Sequence, residues 1–177
     1  TTGQVNVAVG AYALDANTTA SSGVAIGYNA LTANTTGGAN IAIGKDSLEH
    51  NTTGTRNISI GYLALEANTT AANNIAIGAE ALNDNTTGTG NVAIGNNAGA
   101  AITTSGDNVA IGSDALLTNV TGSGLVAVGA GALKLNTGTS NTAVGNTCLR
   151  YLTSGSNNTA VGFRSQMNTT TADSNTS

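Results

Sequence analysis

Asn40, Ile41, Ala42, Ile43, Gly44, Lys45, Asp46, Ser47, Leu48, Glu49, His50, Asn51, Thr52, Thr53, Gly54, Thr55 and Arg56 form one unit of a repeat that runs the length of the chain. Its opening tetrad, a small residue or Asn followed by aliphatic–Ala–aliphatic, is closed by a glycine that returns as Gly10, Gly27, Gly44, Gly61, Gly78, Gly95, Gly112, Gly129, Gly145 and Gly162. Every step is 17 residues except the 16 from Gly129 to Gly145. A fixed short period means a stacked array rather than a globule with one central core. The consensus is N-(V/I)-A-(I/V)-G-x-x-A-L-x-x-N-T-T-G-x-x.

Positions two and four are β-branched in most units, as in Val7/Val9, Ile58/Ile60 and Val109/Ile111. Alternating β-branched residues favour a strand with one buried face. Glycine at position five suits a corner, because it reaches positive φ without steric cost. Leucine at position nine (Leu14, Leu31, Leu48, Leu65, Leu82, Leu116, Leu133, Leu149) is expected to enter the same interior from the second side of the coil. Asn-Thr-Thr-Gly then supplies a second turn. Each unit therefore reads as strand, corner, short strand, turn. Seventeen residues are too few for a strand, a helix and two connections. The expected fold is all-β: a parallel β-roll or β-solenoid of ten coils of about 17 residues. Coils stacked at about 4.8 Å give a rod of roughly 45–50 Å.

Asparagine opens eight of the ten units: Asn6, Asn40, Asn57, Asn74, Asn91, Asn108, Asn141 and Asn158, with Gly23 and Leu125 as exceptions. Stacked identical asparagines can form a hydrogen-bonded ladder. Position three is Ala8, Ala25, Ala42, Ser59, Ala76, Ala93, Ala110, Ala127, Ala143 and Ala160. On a strand it points away from positions two and four. If those two fill the interior, the alanine file faces outward, and an apolar file on a soluble surface marks an interface between chains. The alternative is that the alanine file lies inside a single-chain coil of different geometry.

Charged residues make up 8% of the chain, and the net charge is −4. Five bases, Lys45, Arg56, Lys134, Arg150 and Arg164, spread over ten units make no nucleic-acid face. No apolar run approaches the ~20 residues that span a bilayer, so no membrane insertion by this segment is expected. No secretion signal is visible in it. One cysteine, Cys148, excludes an internal disulfide framework and, replacing a small residue at position eight, reads as a buried inert thiol.

His50 is the only histidine, without a second His or Cys at ligand spacing, so neither a zinc site nor a catalytic pairing is expected. The dispersed acids lack the GGxGxD pattern of calcium-binding β-rolls. The glycines follow the coil period and precede no Walker lysine. No catalytic residue, cofactor or metal site, and hence no enzyme, is expected. The turn asparagines Asn17, Asn34, Asn51, Asn68, Asn85, Asn119 and Asn168 lie in Asn-x-Thr/Ser sequons, as do Asn57, Asn157 and Asn175. They are either glycan acceptors in a secreted protein or simply turn chemistry.

The chain opens Thr1, Thr2, Gly3, Gln4, Val5, the tail of a turn, and closes at Asn175, Thr176, Ser177, the start of another unit. Neither end carries the atypical cap usual for a solenoid. The whole chain is therefore expected to be one uncapped array, a segment of a longer fibre protein.

The Asn-Val-Ala-Ile-Gly segments and their neighbours resemble the head repeats of trimeric autotransporter adhesins (the YadA-like head), and related arrays in phage and surface fibre proteins. The resemblance covers the whole chain, although its period is longer than is typical of those heads. It implies a left-handed parallel β-roll in a homotrimer and supplies no catalytic residues. The resulting expectation is a structural extracellular or cell-surface fibre or adhesin head. Its repeated contacts would attach to a host surface, matrix or glycans. The alternative is a phage or viral fibre shaft, or a self-assembling filament, without a receptor site. Ice binding through threonine pairs such as Thr53/Thr55, Thr87/Thr89 and Thr137/Thr139 is a remote alternative, because other units break the file.

Overall fold

The computed structural model describes residues 2–177; Thr1, counted above with the turn remnant, lies outside them. Among the described residues ten strands form one parallel sheet in sequence order, each a three-residue segment from the repeat tetrad. They run from β1 (Val7–Val9), β2 (Val24–Ile26), β3 (Ile41–Ile43), β4 (Ile58–Ile60) and β5 (Ile75–Ile77) to β6 (Val92–Ile94), β7 (Val109–Ile111), β8 (Val126–Val128), β9 (Thr142–Val144) and β10 (Thr159–Val161). Equivalent positions pair throughout: Ala42 lies against Ser59, and Ala76 against Ala93. This is a β-solenoid with one coil per repeat. The 16-residue step leaves the register intact, with Val126 paired to Thr142. The missing residue comes out of the turn, where Asn136 Nδ2 donates to Gly138 O at 2.9 Å, two residues on instead of three.

The second wall is not the short strand that the sequence suggests. Positions six to eleven form consecutive turns, with positive φ at positions seven and nine: Asp46 (φ 56) and Leu48 (φ 54) in the third coil. A left-handed non-glycine residue costs about 1–2 kcal/mol. Full burial of a leucine contributes about 1.5–3 kcal/mol, so the two nearly cancel at position nine. Backbone bonds to both neighbouring coils tip the balance: Asp46 N donates back to Tyr28 O at 2.9 Å, and Leu48 N forward to Ala64 O at 3.0 Å. The expected strand fails because this wall satisfies its backbone by alternating hand rather than by extension.

The interior holds the leucines of position nine, the small residues of position eight and the alanines of position three, all fully buried in the inner coils. This reverses the expected faces. Positions two and four point outward and stay half-buried or exposed. Ala25, Ala42, Ser59, Ala76, Ala93, Ala110, Ala127, Ala143 and Ala160 are inside the single chain; Ala8, in the terminal coil, is exposed. The reason is space. The two walls stand so close that position three meets position eight: Ser47 Oγ and Ser59 Oγ lie 2.7 Å apart, and Ser59 Oγ donates to Ala64 O at 2.7 Å. Only alanine, serine and, at Cys148, a thiol occupy that meeting of the walls in the inner coils. Where Gly99 replaces the leucine of position nine, Ile102 replaces the turn asparagine and fills the gap, 0% exposed.

Two asparagine ladders, from positions one and twelve, line the same turn of the coil: Asn34 Nδ2 and Asn40 Nδ2 both donate to Gly37 O, at 3.0 and 3.1 Å. Asn40 Oδ1 accepts from Asn57 N at 2.9 Å and Asn57 Nδ2 at 3.2 Å, while Asn57 Nδ2 also donates to Ala71 O at 2.8 Å. Each such side chain satisfies buried backbone groups that the irregular turns would leave unpaired.

Candidate interaction surfaces

Because the pleat alternates, an interior lined with alanine forces the β-branched residues to the outside. The strands carry only Val, Ile, Thr, Ala and Ser, so no charge interrupts this face over ten coils. Val7, Val9, Ile26, Ile94, Val144 and Val161 are among the exposed large hydrophobics, and Tyr28, Tyr62 and Phe163 flank the stripe one residue past the corner glycine. A continuous apolar surface of this length is what soluble proteins ordinarily cover. The alanine file expected as an inter-chain face lies inside the single chain, which is the alternative arrangement, and the apolar file left outside is that of positions two and four.

Of the two readings of the turn asparagines, turn chemistry is the one that the burial of five of them supports. Asn34, Asn51, Asn68, Asn85 and Asn119 are buried, and their amides are engaged within the turn. Asn51 Nδ2, for instance, donates to Gly54 O at 3.1 Å and Asn34 Oδ1 at 2.8 Å. A folded coil has no room for a glycan on those five. Asn17 is half-buried and donates to Ala20 O at 3.2 Å; Asn168 is exposed.

The fold gives His50 partners that the sequence spacing concealed. Glu66 stands one coil on, with Oε1 3.4 Å from His50 Nδ1, and Glu49 completes a group whose donor atoms lie within 4.8 Å of one another. The position-ten acids Glu49 and Glu66 stack because 17 residues are one coil. Lys45 pairs with Asp46 at 3.2 Å, a hydrogen bond that raises the lysine pKa, and lies 5.4 Å over the Tyr62 ring.

Cys148 is fully buried at position eight, where its Sγ reaches Ala160 O at 3.3 Å, and burial pushes the thiol pKa up. Thiolate is the reactive form. A disulfide-exchange reagent at pH 8 is therefore expected to leave the folded chain unlabelled and to titrate one thiol once denaturant is added. Stoichiometric labelling of the folded chain would contradict this burial.

On the second wall, Lys134 Nζ donates to Asp114 Oδ2 at 2.9 Å, and this bond holds the Asp114 carboxyl below its ordinary pKa. A lowered carboxyl contributes stability above its unfolded value, lost as pH falls through the folded one. The pair borders an open recess of about 300 Å³ in coils seven to nine. No helix among the described residues is long and apolar enough to cross a membrane. Compared with family models, curated proteins and solved structures, the chain matches none of them.

Proposed function

We propose that this chain is a structural rod of an extracellular or virion-surface fibre that associates lengthwise with copies of itself through the Val/Ile stripe. The uncharged apolar face running over all ten coils is the observation that supports this reading. A second copy is the occupant best matched to it, since it offers the same side chains at the same pitch. The stripe is about 45 Å long and 10 Å wide, on the order of 450 Å² of footprint. A standard stable interface takes about 800 Å² from each partner. A flat pairing of two stripes falls short. Three copies around an axis parallel to the rod give each chain two neighbours and draw in the flanking tyrosines, which favours a closed trimer.

The rod's outer turns would then face solvent as the repeated surface of an adhesin or of a fibre shaft. The test is the mass of the chain in solution. Light scattering at micromolar concentration is expected to give a multiple of the 17.2 kDa chain. Ile60→Lys with Ile77→Lys is expected to give a monomer whose circular dichroism remains that of a β fold. A wild-type monomer, or an unchanged multiple in the double variant, would overturn the reading.

A further inference from the structure

We propose that the recess on the second wall of coils seven to nine is a binding site for an acidic saccharide unit, read through its carboxylate or sulfate. None of its lining residues lies on a strand, so the site is independent of the self-association stripe. The recess exists because of a local departure from the repeat. Positions six and seven carry pairs such as Tyr28 and Asn29 or Lys45 and Asp46 in other coils, but Ala130 and Gly131 in the eighth. The missing side chains leave a floor over which Arg150 folds, with Nη1 4.0 Å from where a Gly131 side chain would begin.

Two cations meet there at position ten of adjacent coils, Lys134 and Arg150, where earlier coils carry Glu49 and Glu66. Lys134 is held by Asp114, but Arg150 makes no ion pair among the described residues. Its Nε and the Thr147 hydroxyl are shielded from solvent and have no hydrogen-bond partner. The guanidinium lines the recess and lies 5.6 Å over the Tyr151 ring, with no carboxylate at ion-pair distance among the described residues, so an anion seated in the recess would complete its pairing. A guanidinium presents a planar fork suited to an oxyanion.

The rest of the lining narrows the ligand. The Asp114 carboxylate would repel a compact multiply charged ion but accepts hydrogen bonds from hydroxyls. Ser113 and Asn146 add further polar side chains, and the volume suits a single ring better than a bare ion. A monoanion bearing hydroxyls meets each of these features.

The test is titration of the arginine-labelled full chain, following the Arg150 Nε–Hε resonance by nuclear magnetic resonance. Glucuronate is expected to give a saturable shift, glucose none, and inorganic sulfate a clearly weaker one. Arg150→Met, followed through neighbouring backbone amides, and Gly131→Asn are expected to weaken glucuronate binding by roughly tenfold or more, as for loss of a charge-assisted contact. Asparagine already occupies position seven with a similar backbone at Asn97 (φ 55), so Gly131→Asn fills the recess without unfolding the coil. No saturable shift with glucuronate, or an undiminished one in Gly131→Asn, would overturn the site. Sulfate binding as tight as glucuronate, or glucose binding as tight, would overturn the acidic-saccharide assignment. The readout is obtained whatever the oligomeric state, so its failure is separable from failure of the self-association.

Discussion

Replacing Gly78 by alanine is expected to destabilise the central coils by about 3–6 kcal/mol, the sum of a strained backbone and a backbone clash. Gly78 has φ 132, outside the conformations an L residue adopts readily, and a methyl there would stand 2.5 Å from Gly95 O and 2.6 Å from Gly95 C. Neither atom can move aside, because both belong to the corner of the next coil. Gly124→Asn is the control. Gly124 also has positive φ (65), but a side chain there meets nothing nearer than Ser140 Oγ at 3.7 Å. Asn73 (φ 60) and Asn157 (φ 59) hold the equivalent position in other coils. Gly124→Asn should be neutral, or stabilising by up to about 1 kcal/mol through the unfolded chain. Thermal denaturation of both variants checks the contrast; equal melting temperatures would refute the corner's role.

The second large effect is expected from Ala76→Leu. Ala76 is 0% exposed, and the opposite wall of its coil lies within reach of a serine hydroxyl at the equivalent position. Overpacking a closed interior costs about 1–3 kcal/mol, and more where the backbone cannot yield. Both walls here are tied to neighbours on either side, so the upper end of that range or beyond is expected. Ile75→Thr, one residue away but outward, should change stability far less, since Thr142 and Thr159 occupy that position in β9 and β10. If the β-branched residues filled the interior, the order would reverse. Denaturant midpoints of the two variants decide between the arrangements.

The period, the glycine corner, the inward leucines and the asparagine ladder were all legible in the sequence, because each follows from one residue type recurring at one position. The inside and outside of the strand were not. Val-Ala-Val satisfies the alternation either way, and hydrophobicity usually breaks the tie in favour of the larger side chains. Here the spacing of the walls breaks it, and that spacing depends on Ala and Ser at position eight, as at Ser47 and Ala81, which fixed no face when read alone. The turn wall was equally hidden. Left-handed leucines such as Leu48 and Leu65 go against local preference, and only the bonds between coils make them favourable. The contact of Ser47 with Ser59 joins departures from the consensus in successive coils, and that of His50 with Glu66 joins positions that have no consensus residue. A consensus averages such departures away.

Lengthwise association through the Val/Ile stripe is most directly tested by oxidative cross-linking of single cysteines in a Cys148→Ala background, alanine being the usual residue at position eight. Ile77→Cys, outward on β5 near the middle of the rod, is expected to form disulfide-linked chains rapidly at micromolar concentration. Asn83→Cys, on the opposite wall of the same coil, is expected to remain monomeric on a denaturing gel. Equal cross-linking at both positions, or cross-linking at Asn83→Cys alone, would contradict association through the stripe.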